Sequence, residues 1–162
     1  MKLFVARHHY AGDPNDDPKK EIERALWPEG KAAALAVATA LLKKGDIPSC
    51  IFSSPYQRAI GTAFIYGKKL VANVAIIGDL APIRPLANGL FSLIKAREKI
   101  GRVMIVGHRD NIEPLFRDLD GPKFPDIAMG EIRRLDIDRK TGAWSLRWAI
   151  KASDVGFKDY YS

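Results

Sequence analysis

The chain has 162 residues, of which 47% are hydrophobic and 28% charged, a globular composition that excludes a disordered protein. The single cysteine excludes an internal disulfide, the net charge of +7 is spread evenly along the chain, and no apolar run reaches the roughly 18 residues of a membrane span. We therefore expect one domain over residues 1–162, a monomer in the cytoplasm without a secretory signal, which binds neither a membrane nor nucleic acid.

Short apolar runs alternate along the chain with longer helical segments. The runs predict strands at Lys2–Ala6, Cys50–Ser53, Asn73–Ile77 and Arg102–Val106. The longer segments predict helices at Glu29–Lys44, Tyr56–Leu70, Asn88–Ile100 and Ile112–Leu119. Gly45 is the expected end of the first helix. Residues Asp13–Lys20 contain two prolines and three aspartates, which predicts a loop.

The last part of the chain alternates between apolar and polar residues. Residues Met129–Asp138 and Ala143–Ile150 do so on either side of a turn, which predicts an antiparallel hairpin. Together with the preceding strands and helices, this pattern predicts an α/β fold of three layers. A mostly parallel central sheet would carry helices on both faces and end in the hairpin.

Arginine and histidine side chains follow three of the predicted strands. Arg7, His8 and His9 follow the first strand, Arg58 lies one turn into the helix after the second, and His108 follows the fourth. Because parallel strands end at one edge of a sheet, we expect Arg7, His8, Arg58 and His108 to meet there. Two guanidinium groups and two imidazoles suit a tetrahedral dianion such as a phosphoryl group, and the start of the next helix would add N–H donors.

Three segments resemble the signature segments of the histidine phosphatase superfamily, which has the phosphoglycerate-mutase-like fold. They are Arg7-His8 after a strand, the run SSPYQRAIGTA at residues 53–63, and Val106-Gly107-His108. The segment at residues 24–30 resembles the one that leads into the first helix of that family. The short chain and its terminal hairpin are similar to the small bacterial phosphohistidine phosphatases of the SixA type.

The resemblance implies a phosphatase with a covalent phosphohistidine intermediate and neither a metal nor a cofactor. His8 would be the nucleophile, and Arg7, Arg58 and His108 would hold the phosphoryl oxygens and stabilise the transition state. His9 and Arg24 are further candidates for substrate binding. The partner would be a phosphorylated protein of the histidine-phosphotransfer type or a small phosphorylated molecule.

Two positions depart from the pattern of the family. His9 stands where many relatives have glycine, and it would either contribute to the pocket, by narrowing it or by contacting the phosphate, or be a packed or solvated side chain. Pro82 stands where many relatives have a glutamate that acts as general acid, and Asp79 is the nearest carboxylate. An alcohol leaving group needs a proton, whereas the imidazole of phosphohistidine departs more readily. The sequence therefore favours a phosphohistidine substrate over a phosphate ester.

Three other functions stay open at the level of the sequence. A small-molecule phosphomonoesterase would hydrolyse simple phosphate esters as fast as phosphohistidine. A non-catalytic module would bind phosphorylated partners through the same pocket without turnover. A metal hydrolase would use His8, His9 and His108, but it would need carboxylate ligands at that edge, where only Asp110 is available.

Overall fold

The computed structural model describes residues 1–82, 101–120, 126–138, 141 and 143–158. The helix predicted at residues 88–100 and most of the turn predicted at 139–142 lie outside these ranges. The strands are β1 (Lys2–Arg7), β2 (Cys50–Ser53), β3 (Asn73–Ile76), β4 (Arg102–Gly107), β5 (Ile132–Ile137) and β6 (Trp144–Ile150). The helices are α1 (Pro18–Glu23), α2 (Pro28–Lys44), α3 (Gln57–Leu70) and α4 (Arg109–Asp120), with 3₁₀ turns at Gly78–Leu80 and Ser153–Val155.

The six strands form one mixed sheet in the order β3-β2-β4-β1-β5-β6. Strands β1 to β4 are parallel, β5 pairs antiparallel with β1, and β6 pairs antiparallel with β5. The predicted mostly parallel sheet with a terminal hairpin is therefore confirmed. No helix within the described ranges is both long and apolar enough to cross a bilayer.

Helices cover both faces of the sheet, which explains why the central strands are almost continuously apolar. On one face, α2 and α3 pack against Phe4 and Met104. On the other face, α4 packs its Phe116 against a cluster that includes Val5 and Ile105. Each such side chain, fully withdrawn from water, stabilises the fold by about 1.5–3 kcal/mol. The two apolar layers hold the strand ends in place.

Helix α2 confirms the predicted helix and its predicted end. Pro28 occupies the first turn, where its missing N–H costs no hydrogen bond. Gly45 ends the helix in the left-handed conformation, with φ of 73°, and its N–H donates to the Leu42 carbonyl at 3.1 Å. Near its start, a side chain at Gly30 would collide with the carbonyl of Tyr10. The absence of a side chain there lets α2 lie against the chain that leaves β1.

The prediction of a loop at residues Asp13–Lys20 is wrong at its end, because α1 begins inside it at Pro18. The Asp17 side chain accepts a hydrogen bond from the Lys19 N–H at 3.0 Å and caps the helix. Six residues are too few for an apolar period to show in the sequence, and none of them is fully buried. Helix α4 also begins three residues before the predicted start at Ile112, directly after His108.

Candidate active site

The ends of β1, β4 and β2 lie side by side, and backbone hydrogen bonds continue beyond the strands. The His8 N–H donates to the Gly107 carbonyl at 3.1 Å, and the Ser54 N–H donates to the Val106 carbonyl at 3.0 Å. These bonds place the residues that follow the strands in one cluster, which we call the anion pocket. Its members are buried, with 3–7% of their surface exposed, and they are Arg7, His8, Arg58 and His108.

Both ring nitrogens of His8 have defined partners. Nδ1 lies 2.8 Å from the carbonyl oxygen of His9. Because a carbonyl can only accept, Nδ1 is the nitrogen that carries the proton. Nε2 accepts a hydrogen bond from Nε of Arg58 at 3.1 Å. The lone pair of Nε2 is therefore free of a proton and points toward the cationic side of the pocket.

The surroundings of His8 keep the imidazole neutral. Burial lowers its pKa most, followed by the charges of His108 and Arg58, so that the pKa lies well below the ordinary 6.5. The hydrogen bond to the His9 carbonyl opposes this shift but does not reverse it. A neutral imidazole with a bare Nε2 is the form that can attack phosphorus.

Arg58 contacts His8 through one edge and Glu21 through the other. Its Nη1 donates to the Glu21 carbonyl at 2.8 Å, and its Nη2 pairs with Oε1 of Glu21 at 3.0 Å. Burial lowers its pKa to about 10, against the raising effect of Glu21, so the group stays charged at neutral pH. With the bond to His8, three of the five N–H groups of the guanidinium are engaged, which leaves two for a ligand.

Arg7 is held by the chain that leads into β5. Its Nη1 donates to the Ile127 carbonyl at 2.9 Å, and its backbone N–H donates to the Glu131 carbonyl at 3.1 Å. The Glu131 side chain forms a buried ion pair with Arg133 and accepts the Ala128 N–H at 2.8 Å, which fixes this segment. The charge of Arg7 lowers the pKa of both His8 and His108, so it acts on the same pocket.

His108 faces His8 and is positioned by Ser54. The two imidazoles have a centroid distance of 5.0 Å, and Nε2 of His108 lies 2.7 Å from Oγ of Ser54. That oxygen also accepts the Tyr56 N–H at 3.3 Å, and its own proton is available to be donated to Nε2 of His108. When Ser54 donates to Nε2, the proton of His108 resides on Nδ1, which is buried and has no hydrogen-bond partner within the described part of the chain.

Burial is also the main cause of the low pKa of His108, which falls to about 3 with further lowering by Arg58 and Arg7. In the tautomer in which Ser54 is the donor, the neutral ring presents Nδ1–H as a hydrogen-bond donor to an anion. Sequence reasoning did not single out Ser54, although it lies inside the segment that carries the resemblance.

The side chain of His9 does not lie in the anion pocket. Its backbone N–H donates to Oγ1 of Thr62 at 3.1 Å, and its ring Nε2 lies 2.7 Å from the Tyr66 hydroxyl. The residue is 1% exposed, and burial lowers its pKa to about 3. Its ring also lies against Gly130, where an added Cβ would come within 2.5 Å of it. Of the two interpretations of His9, packing inside the protein fits this placement and contact with substrate does not.

Arg24 lies at the rim of the anion pocket with 15% of its side chain exposed. Its Nε and Nη2 donate to the Glu21 carboxylate at 2.9 and 2.8 Å. Its Nη1 donates to the carbonyls of Gly12 and Ala11 at 2.6 and 3.4 Å. Four of its five N–H groups are engaged, so Arg24 has at most one left for a substrate in this arrangement. Its charge still lowers the pKa of His108 and Arg58.

Glu21 is the carboxylate that sequence reasoning missed. It belongs to α1 and directly follows the predicted loop at Asp13–Lys20, and its contact with Arg58 joins residues far apart along the chain. Burial alone would raise its pKa, but hydrogen bonds from Arg24 and from the Asn15 N–H hold the pKa below the ordinary value. No local signal in the sequence points to this contact. Within the described ranges, no three His, Cys, Asp or Glu side chains are arranged to hold a metal ion.

The chain resembles solved structures closely, although no family model and no curated protein matches its sequence. A structure of the protein histidine phosphatase SixA with tungstate aligns at a TM-score of 0.81 and 20% identity, over 95% of this chain and 99% of the other. A protein from Agrobacterium tumefaciens described as phosphohistidine phosphatase SixA aligns at 0.80 and 20%, over 93% and 98%.

A third solved structure belongs to a phosphatase with a different named substrate. Mycobacterial glucosyl-3-phosphoglycerate phosphatase with VO₃ aligns at a TM-score of 0.69 and 17% identity, over 91% of this chain and 98% of the other. These matches span nearly the whole of each chain. They show that the protein has the fold of these phosphatases, and the resemblance to the histidine phosphatase superfamily is confirmed at the level of the fold.

Proposed function

We propose that this protein is a phosphatase that hydrolyses its substrate through a phosphoryl group held covalently on His8. The observation that carries the proposal is the state of Nε2 of His8. This nitrogen is buried, carries no proton and faces the guanidinium of Arg58, with His108 beside it. A nucleophile surrounded by cationic and N–H donors is suited to attack a phosphoryl group.

The reaction proceeds in two displacements at phosphorus. In the first, the hydrogen bond from Nε of Arg58 to Nε2 of His8 breaks, and the freed lone pair forms a bond to phosphorus while the bond to the leaving group breaks on the opposite side. Arg7, Arg58 and Nδ1–H of His108 hold the three non-bridging oxygens and stabilise their charge. In the second, water attacks the phosphorus of phospho-His8, which releases inorganic phosphate and restores the neutral imidazole.

The preferred substrate in this proposal is a phosphohistidine on a protein. The charged contacts of Glu21 keep it ionised, so it is not a proton donor for a poor leaving group. The imidazole of phosphohistidine does not require such a donor. The fold shared with the protein histidine phosphatase SixA is consistent with the same choice.

The second candidate is a small-molecule phosphomonoesterase. The fold shared with mycobacterial glucosyl-3-phosphoglycerate phosphatase supports it, at a lower TM-score. This candidate predicts comparable turnover of phosphate esters and of phosphohistidine. A monomer that acts in the cytoplasm on a phosphorylated partner belongs to the proposal in either case, and size-exclusion chromatography with light scattering tests the monomer.

The test measures phosphate release from a phosphorylated histidine-bearing carrier protein and from a panel of phosphomonoesters. Wild type and His8→Ala are compared, and acid-labile phosphate on the protein is trapped by rapid quenching. We expect faster turnover of the carrier protein, together with a labelled wild type and an unlabelled variant. Binding of phosphorylated protein without release or label would instead identify a non-catalytic module. Equal turnover of esters would favour the second candidate.

A further inference from the structure

The anion pocket contains a carboxylate as well as its cationic groups. Oε1 of Glu21 lies 3.0 Å from Nη2 of Arg58, and the backbone carbonyl of Glu21 accepts from Nη1 at 2.8 Å. The other edge of the same guanidinium donates to His8. Glu21 therefore contacts the group that we assign to hold a phosphoryl oxygen, one guanidinium away from the nucleophile.

The carboxylate of Glu21 is firmly held. It accepts hydrogen bonds from Nε and Nη2 of Arg24 at 2.9 and 2.8 Å and from the Asn15 N–H at 3.0 Å. With Arg58, four donors fix its position and its charge. An ionised group with this many partners moves little when a ligand enters, so a ligand meets a negative charge at a fixed place.

The exposed fractions of His8, Arg58 and Glu21 indicate which side of the pocket is open to solvent. His8 is 5% exposed and the Arg58 side chain 6%, whereas the Glu21 side chain is 22% exposed. Of the two groups that Arg58 contacts, Glu21 is therefore the one more accessible to solvent, and we take its side of the guanidinium as the mouth of the pocket. Displacement at phosphorus places the leaving group opposite the nucleophile, which is the solvent side. The leaving group and the Glu21 carboxylate therefore share the mouth of the pocket.

We propose that Glu21 determines specificity for the leaving group. Its negative charge favours a leaving group that carries a positive charge, such as the protonated imidazole of phosphohistidine. The same charge disfavours anionic leaving groups and bound inorganic phosphate. This inference rests on the proposed phosphatase function and names the chemistry that would set its substrate class.

The experiment compares Glu21→Gln with Glu23→Gln. Glu23 is exposed on the same short helix, so its substitution removes an equal charge nearby without a contact to Arg58. The kcat/KM values for a phosphohistidine peptide and for p-nitrophenyl phosphate are measured with both variants. We expect the ratio of kcat/KM for the peptide to kcat/KM for p-nitrophenyl phosphate to fall about tenfold in Glu21→Gln, since one full charge is removed at close range. In Glu23→Gln we expect this ratio to stay within about twofold of the wild-type ratio, because an exposed charge is screened by solvent.

Binding of tungstate and of inorganic phosphate, followed by calorimetry, gives a readout that does not require turnover. We expect Glu21→Gln to bind both anions about fivefold more tightly than wild type, because the opposing charge is gone. Glu21→Asp keeps the charge and is expected to retain most of the selectivity. Weaker anion binding by Glu21→Gln, an unchanged ratio, or an equal loss in Glu21→Asp would overturn the inference.

A measurement on the wild type covers the case in which Glu21→Gln does not fold. O-phosphoethanolamine and phosphoglycolate are similar in size, but the group attached to the phosphate is a cationic ammonium in the former and an anionic carboxylate in the latter. We expect the former to be the tighter competitive inhibitor, and equal inhibition would overturn the inference. Absence of both turnover and trapped phosphohistidine in wild type would instead contradict the proposed function, while the tungstate titration would still report the effect of Glu21.

Discussion

His8 and His9 are neighbours in the chain, yet they face two different regions of the molecule. His8 turns into the anion pocket, where Arg58 and His108 surround its ring. His9 turns into the core, where its ring meets the hydroxyl of Tyr66. Both are almost fully buried, with 5% and 1% of their surfaces exposed.

The two histidines differ in what lowers their pKa. For His9 burial is the cause, whereas for His8 burial is followed by the charges of His108, Arg58 and Arg7. Burial alone therefore does not mark a functional histidine. The cationic groups around His8 would be unfavourable for stability, and they are suited to an anionic ligand.

The largest expected effect is the loss of turnover in His8→Ala. Removal of the nucleophile is expected to lower kcat on the order of 10³-fold or more, whereas His9→Ala is expected to lower it only several-fold per folded molecule. Steady-state phosphate release, corrected for the folded fraction by circular dichroism, checks both values. Similar losses in the two variants would contradict the difference in role.

The core position of His9 predicts the second effect, which concerns stability. His9→Ala leaves a cavity and an unpaired Tyr66 hydroxyl, so the free energy of unfolding should fall by about 2–4 kcal/mol. Tyr66→Phe removes only the hydrogen bond and is expected to cost about 1–2 kcal/mol. Urea unfolding followed by fluorescence measures both. No change in His9→Ala would show that this contact does not stabilise the core.

The third prediction concerns pH, where the two regions should behave alike. His8, His9 and His108 have native pKa values below the 6.5 of the unfolded chain. Their stabilising effect is therefore complete above pH 6.5 and is lost as the pH falls below it, because only the unfolded state binds protons. Each histidine lowers the free energy of unfolding by about 1.4 kcal/mol per pH unit in that range.

Urea titrations between pH 6.5 and 5 measure this slope, and His9→Ala should reduce it by about a third. The activity of the folded protein should persist below pH 6.5, because His8 stays neutral there. An acid limb of kcat/KM at the ordinary histidine pKa would contradict the environment described for His8.

The smallest expected effect concerns His108. Ser54→Ala removes the donor to Nε2 of His108, which frees its proton to move from Nδ1 to Nε2. We expect kcat to fall about tenfold, with ¹⁵N NMR reporting the change of tautomer. Cys50→Ala serves as the control, because Cys50 lies at the start of β2, the strand that leads to Ser54, but outside the pocket. A reduced kcat with an unchanged His108 tautomer would contradict the assigned role of Ser54.

The sequence predicted the parts of the molecule that depend on local pattern. Continuous apolar runs indicated the central strands, and the polar residues directly after them indicated the edge where Arg7, His8, Arg58 and His108 meet. This succeeded because parallel strands impose a common edge, whichever order they take in the sheet. The hairpin was predictable for a similar reason, since its alternation is local.

Contacts between distant segments could not be predicted. The direction of His9 depends on Thr62 and Tyr66 in α3, and Glu21 meets Arg58 only after α1 has folded against that helix. Helix α1 itself is too short to produce an apolar period. Local sequence patterns therefore located the cationic groups of the site but not the carboxylate that shares it.

The contact between His9 and Gly130 limits how this chain can accumulate mutations. Gly130 has a φ of 75°, which already favours glycine, and the ring of His9 fills the space that a side chain there would need. A substitution at position 130 is therefore strained by the backbone conformation, and it also requires the ring of His9 to move or to be removed. A protein engineer who moves the His8-His9 pair into a related scaffold must therefore transplant the glycine with it.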